Sequence, residues 1–210
     1  MRTAKHTGRY TVSAPQPNGG RIMHIDLEVF EPVDTTPVGH RVLDAASELF
    51  RDHGIRATGV DSIVERAETT KRTLYQRYGS KDRLVACYLQ QRAHVWQGKL
   101  LEALTGASPA EALEVVYRHT ARWATGTPRG CAFVNAWAEI GASEHEAGDF
   151  VRAEKAWMLA LFTQIAGGDE NTGALLHLLH EGAQVTASIQ GDPRVFAQAC
   201  AASQELLAQR

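Results

Sequence analysis

Thr58 to Lys81, TGVDSIVERAETTKRTLYQRYGSK, constrains the fold of this chain more than any other stretch. Val60, Ile63, Val64 and Ala67 recur at i, i+3, i+4 and i+7, one apolar stripe on a short helix whose start Thr58 or Gly59 can cap. The pattern breaks after Ala67, and Thr69 and Thr70 offer a new N-cap before Lys71. A second helix follows from about Lys71 to Tyr78, with Leu74 and Tyr78 inward and Lys71, Arg72, Thr73, Gln76 and Arg77 outward. Gly79-Ser80 ends it, and Ser80 can cap a third helix opening at Lys81. Two short helices joined by a tight turn predict a helix-turn-helix, whose second helix lies in the major groove of DNA.

The charge agrees with that geometry. Between Thr69 and Lys81 the chain carries Lys71, Arg72, Arg77 and Lys81 and no acid, although its formal net charge is −2. Cations beside hydroxyls suit phosphate contacts, which supply most of the affinity without reading sequence. Thr70, Lys71, Arg72, Thr73, Gln76 and Arg77 are the candidates for the groove. A charge run is usually only a solvated face. Here it occupies the outward side of the second helix of a two-helix motif, which favours double-stranded DNA.

The run from Arg41 to Val85 resembles the DNA-binding domain of the TetR family of bacterial transcriptional regulators. The resemblance rests on Ala46-Leu49-Phe50, His53-Gly54, Thr58-Val60-Ile63, Lys71-Thr73-Leu74-Tyr75-Tyr78, Ser80-Lys81 and Leu84. It implies that Tyr75 and Lys81 clamp phosphates, joined by Thr58. One position departs from the family, which usually has Gly in the turn where this chain has Glu68. If that backbone has positive φ, a non-Gly residue is strained, and an acid stands near DNA.

A chain of 210 residues with 44% hydrophobic and 22% charged residues is an ordinary globular composition able to bury a core. No run of about 18 apolar residues occurs, so no transmembrane helix is expected, and the first thirty residues lack signal-peptide character. Cys87, Cys131 and Cys200 are scattered and odd in number, which fits a reducing cytoplasm rather than a disulfide framework. Residues 1–37, with seven prolines and glycines among balanced charges, read as a flexible extension. Arg2, Lys5 and Arg9 offer a minor-groove arm as the alternative to a disordered tail, Met23 is an alternative start, and Ile22 to Phe30 alternates as a short strand would.

Residues 38–83 form the expected DNA-binding domain and 84–210 an all-helical remainder. Over 38–92 ten basic residues face seven acidic ones, net +3, whereas 93–210 is net −5. That asymmetry marks two modules. Helices are expected at about Val38–His53, Lys81–Leu104, Pro109–Thr125, Cys131–Gly141, Asp149–Ile165, Gly173–Gln190 and Pro193–Gln209, with Gly- or Pro-bearing separators. The fold class is therefore all-α, with an N-terminal three-helix helix-turn-helix domain and a C-terminal helical ligand-binding and dimerisation domain.

Leu175, Leu178, Leu179, Gly182, Ala183, Thr186 and Ile189 make one stripe on the last two helices, and Val195, Phe196, Ala199, Cys200, Leu206 and Leu207 another. Small residues among leucines suit close helix pairs or simply core. The TetR resemblance implies that these helices form a four-helix homodimer interface, hence a palindromic operator. Trp96, Trp123, Phe133, Trp137 and Trp157, with Asn135 and His177 as polar groups, are candidates for a small-molecule cavity, against the reading that each is core. The resemblance implies a small-molecule effector there, and the segment Gly130 to Ala136 is similar to one common in the family.

Other chemistries find less support. His177 and His180, three apart, make a weak metal pair, so no metal or other cofactor is expected. Cys131 as a thiol sensor has only Arg129 as a basic neighbour, and Glu144-His145-Glu146 reads as a solvated loop. There is no phosphate-binding Gly loop, nucleophile elbow or paired catalytic carboxylate, so no catalytic residue and no enzyme is expected. The expectation is a cytoplasmic homodimeric repressor released from DNA by an effector. The alternative is a dimeric helical small-molecule-binding protein whose DNA binding Glu68 has weakened.

Overall fold

A computed structural model describes residues 7–12, 23–125, 129–141 and 145–209, with backbone alone at 7–12 and 125. Among them the chain is a helical protein: α1 (Pro37–His53), α2 (Val60–Arg66), α3 (Lys71–Tyr78), α4 (Lys81–Ala103), α5 (Pro109–Thr125), α6 (Ala132–Ile140), α7 (Glu146–Ile165), α8 (Glu170–Gln190) and α9 (Arg194–Ala208). The caps are those that local chemistry dictates. Thr70 accepts from the Thr73 N–H to open α3, Ser80 from the Arg83 N–H to open α4, and Asp169 from the Thr172 N–H to open α8. Gly54 closes α1 at φ 90, a conformation that side chains rarely tolerate.

α1 packs its stripe of Val42, Ala46, Leu49 and Phe50 against α2, α3 and the first half of α4. α4 runs on from this core into a second, built with α5, α7 and α8, so one rigid helix joins the two bodies of helices. Leu84, Val85 and Leu89 serve the first core, Leu100, Leu101 and Leu104 the second. α9 closes on α5, where the Tyr117 hydroxyl lies 2.8 Å from Ser203 Oγ. Gly173 brings α8 against α7 so closely that a Cβ would stand 2.6 Å from the Thr163 backbone.

The expected flexible extension is corrected in part. β1 (Thr7–Val12) pairs antiparallel with β2 (Ile25–Phe30), Thr7 opposite Phe30 and Val12 opposite Ile25. β2 buries Ile25 and Val29 in the second core, and side chains of α4 and α7 satisfy its polar edge. Gln97 Oε1 accepts from the Phe30 N–H at 3.1 Å, Trp157 Nε1 donates to the Glu28 carbonyl at 2.8 Å, and Gln164 bonds both backbone groups of Asp26. Arg2, Lys5 and Glu144 lie outside the described residues.

Candidate functional site

Buried Leu74 and Tyr78 fix α3, and the Tyr78 hydroxyl donates to the Gly39 carbonyl at 2.8 Å, pinning the helix to the start of α1. The remaining positions must then point away from the core. Lys71, Arg72, Gln76 and Arg77 are exposed, Tyr75 is 46% exposed, and Thr73 is half-buried beside them. Arg72, Gln76 and Arg77 make no side-chain hydrogen bond or ion pair among the described residues. Thr70 is engaged as the cap, 3.2 Å from the Thr73 nitrogen and 3.0 Å from its hydroxyl. Lys71 Nζ lies 2.7 Å from Asp61 Oδ1 on α2, and that hydrogen bond raises the lysine pKa.

Two of the predicted contact residues point elsewhere. The Thr58 hydroxyl is buried and donates to the Gly54 carbonyl at 2.7 Å, completing the end of α1. Lys81 Nζ donates to the Ile55 carbonyl at 2.6 Å, and burial lowers its pKa. Both tie the α1–α2 turn. The structure thus gathers Lys71, Arg72, Thr73, Tyr75, Gln76 and Arg77 on one face and leaves Thr58 and Lys81 behind it.

Glu68 adopts φ 48, the only positive φ outside glycine among the described residues. Its successor Thr69 donates back to the Val64 carbonyl at 2.9 Å, the long-range bond that closes a helix through a left-handed residue. The acid therefore sits, exposed, where glycine is favoured.

In the helical domain a cavity of about 260 Å³ opens between α4, α5, α7, α8 and the ends of α6 and α9. Trp96, Trp123 and Phe133 line it as the sequence suggests, joined by Phe196. The other four candidates do not line it. Trp157 is spent on Glu28 of β2, Trp137 is 43% exposed under Arg152, the Asn135 amide bonds the Arg129 carbonyl, and His177 lies beside Phe162 and Glu181. Sequence reasoning missed Arg92, Glu154 and His180, polar residues that only the tertiary fold turns toward the cavity, where Gln184 joins them.

These polar groups form a connected set. Thr120 donates to the Val116 carbonyl and so accepts from His180 Nε2 at 2.9 Å, which leaves Nδ1 facing the Gln184 amide at 3.4 Å. Burial lowers the His180 pKa, consistent with a neutral ring. Lys155 Nζ donates to Glu181 Oε1 at 2.9 Å and approaches Cys131 Sγ at 3.8 Å. Burial works against the Glu181 charge, yet the His177 ring 3.6 Å away and the bond from the Lys155 ammonium hold its carboxyl well below the usual range. Burial also raises the Cys131 thiol, so the neighbouring lysine does not make it a thiolate.

Residues 42–87 match the sequence model of the bacterial regulatory proteins of the tetR family. Over 51 residues, 24% of this chain and 23% of the relative, the sequence is 45% identical to the HTH-type transcriptional activator FasR of Mycolicibacterium smegmatis. Over 70 residues, 33% of this chain and 36% of the relative, it is 34% identical to the HTH-type transcriptional regulator YvkB of Bacillus subtilis. The matches thus span about a quarter to a third of these curated relatives. A TetR-family transcriptional regulator of Streptomyces coelicolor superposes with TM-score 0.75 at 28% identity, over 82% of this chain and 95% of its own. The reduced form of Escherichia coli NemR shares the fold at 18% identity, TM-score 0.71, over 80% and 97% of the two chains.

Proposed function

We propose that this chain, which belongs to the TetR family of bacterial regulatory proteins and carries its helix-turn-helix DNA-binding domain, is a homodimeric repressor that a small molecule releases from a palindromic operator. The observation that carries the proposal is the face of α3. Arg72, Gln76 and Arg77 stand outward without side-chain partners among the described residues, on a helix whose other side is locked by Leu74 and Tyr78. Arginine suits the O6 and N7 of guanine and glutamine the N6 and N7 of adenine in the major groove. Lys71, Tyr75 and Thr73 flank them as phosphate contacts.

The dimer is supported by α8. Leu175, Leu178, Val185 and Ile189 form an outward row with Gly182 among them, and Leu178 and Ile189 are 67% and 80% exposed. A continuous apolar helix face of this kind is buried by a partner of the same kind in a two-fold pair. Two copies then present their α3 helices about one DNA turn, ~34–36 Å, apart.

Release is a shift of population toward a spacing of α3 helices that does not fit DNA. The cavity wall includes Gly130 to Phe133, which continue directly into α6 and its contacts with the α1–α2 turn. Occupying the cavity therefore bears on the position of the DNA-binding helices. Selection from random duplexes tests the whole reading. Enrichment of an inverted repeat with half-sites one turn apart is expected. A second reading, a dimeric ligand-binding protein with weakened DNA affinity, draws on Glu68 and on the inward turn of Thr58 and Lys81. It gains if no sequence is enriched.

A further inference from the structure

We propose that the cavity of the helical domain takes a hydrophobic organic cation, such as an aromatic ammonium compound, seated against the Glu154 carboxylate and the rings of Trp96 and Trp123. The inference rests on the reading of this cavity as the effector site and adds the chemical class of the effector. Its walls are chiefly aromatic and small, and among the described residues that line it only Arg92 and Glu154 belong to the ordinarily charged types apart from His180.

The two charges stand in different conditions. Arg92 is half-buried, and its guanidinium already lies 5.0 Å over the Trp123 ring, so its charge has both solvent and a π-face. Glu154 is 5% exposed, and its Oε2 makes no hydrogen bond. Lys155 Nζ stands 3.4 Å from that oxygen, but outside hydrogen-bonding geometry, because it is turned to Glu181 at 2.9 Å. One ammonium therefore serves two carboxylates, one buried and one half-buried. The neighbouring rings of His177 and His180 face Glu181, and Cys131 is a neutral thiol.

A buried carboxylate that shares its one ammonium with a second carboxylate is costly, and the cost falls when a further cation arrives. Burial raises the Glu154 pKa in spite of Lys155, the sign for a group that takes up a proton more readily than a free carboxylate. Binding then exchanges one charge for another: the cation enters and the carboxyl releases a proton to solvent. The tryptophan rings add a negative π-surface that favours the same sign of ligand.

The test uses three probes of one shape: benzyltrimethylammonium, its neutral isostere neopentylbenzene, and the phenylmethanesulfonate anion. Quenching of tryptophan fluorescence in the full chain reads binding, and calorimetry in two buffers of different ionisation enthalpy reads proton release. The cation is expected to bind at least about tenfold tighter than the isostere, with net proton release. Glu154→Gln should remove both the preference and the proton release while still binding the isostere. Equal binding of cation and isostere by the unsubstituted protein overturns the charge assignment, whatever the variant does. Preference for the anion overturns it also and moves recognition to Arg92. Failure of all three to bind removes the cavity as a ligand site, and with it this inference and the effector part of the proposed function.

Discussion

Glu139 and Arg129 meet at 3.2 Å above the turn that follows α1, and each also holds that turn directly. Glu139 Oε2 accepts from the Arg56 N–H at 2.7 Å, and Arg129 Nη1 donates to the His53 carbonyl at 3.1 Å. Gly54 passes beneath the pair at φ 90, where an added Cβ would stand 2.7 Å from Glu139 Oε1 and 2.9 Å from Arg129 Nη2. The helical domain thereby grips the DNA-binding domain at one glycine.

Gly54→Ala should cost about 1–3 kcal/mol through the positive φ and the clash together. Glu139→Ala alone should cost about 1 kcal/mol, being a pair near the surface. Urea unfolding of both single variants and the double variant separates the terms. The double variant is expected to be more stable than the sum of the singles predicts, because removing Glu139 makes room for the new methyl. Additive losses would show that the clash is absent.

Glu68→Gly should stabilise the protein by about 1 kcal/mol, since the turn at φ 48 suits glycine. It should also tighten DNA binding by removing an exposed acid near phosphate. Glu68→Ala distinguishes the two effects: it removes the charge and keeps the strained backbone. An unchanged urea midpoint for Glu68→Gly would mean that the turn bears no strain.

Arg72→Ala or Gln76→Ala should lose about 1–3 kcal/mol of binding on the selected site and little on random DNA. Lys81→Ala should act differently from a phosphate contact. Its ammonium holds the Ile55 carbonyl, so the loss is expected first in the thermal midpoint, with the salt slope of DNA binding preserved. A flattened slope at unchanged stability would return Lys81 to the phosphate.

Stability should fall in alkali in a defined window. Burial raises the phenols of Tyr78 and Tyr117 from 10.0 to about 12. The folded state therefore keeps protons that the unfolded chain releases. Their contribution is intact below about pH 10 and is lost as pH climbs through about 12. Urea midpoints from pH 9 to 12 check this, and Tyr117→Phe should flatten the decline. An identical decline in that variant would assign the effect to other groups.

Much of the fold could be read locally. Thr70, Ser80 and Gly54 mark boundaries through bonds to residues three or four positions away, and the spacing of Leu74 and Tyr78 decides which side of α3 is exposed. What escaped depended on distant partners. The alternation from Ile22 to Phe30 suggested a short strand, but β2 is stable because Gln97, Trp157 and Gln164 complete its edge, and nothing near Ile25–Phe30 announces those partners. Trp157 and Trp96 are equally aromatic in sequence, yet one serves that strand and the other the cavity. Thr58 looked like a surface hydroxyl until the end of α1 claimed it. Glu68 shows the reverse, a local anomaly that proved to be a real backbone feature.

The central claim, that the outward face of α3 reads DNA, is tested most directly by fluorescence anisotropy on the intergenic duplex upstream of this chain's own gene. The titration is run against a random duplex of equal length across about 50–200 mM salt. The account predicts binding roughly a thousandfold tighter to the intergenic duplex and a steep fall of affinity with salt on both. Equal, weak binding to the two duplexes at every salt concentration would contradict it.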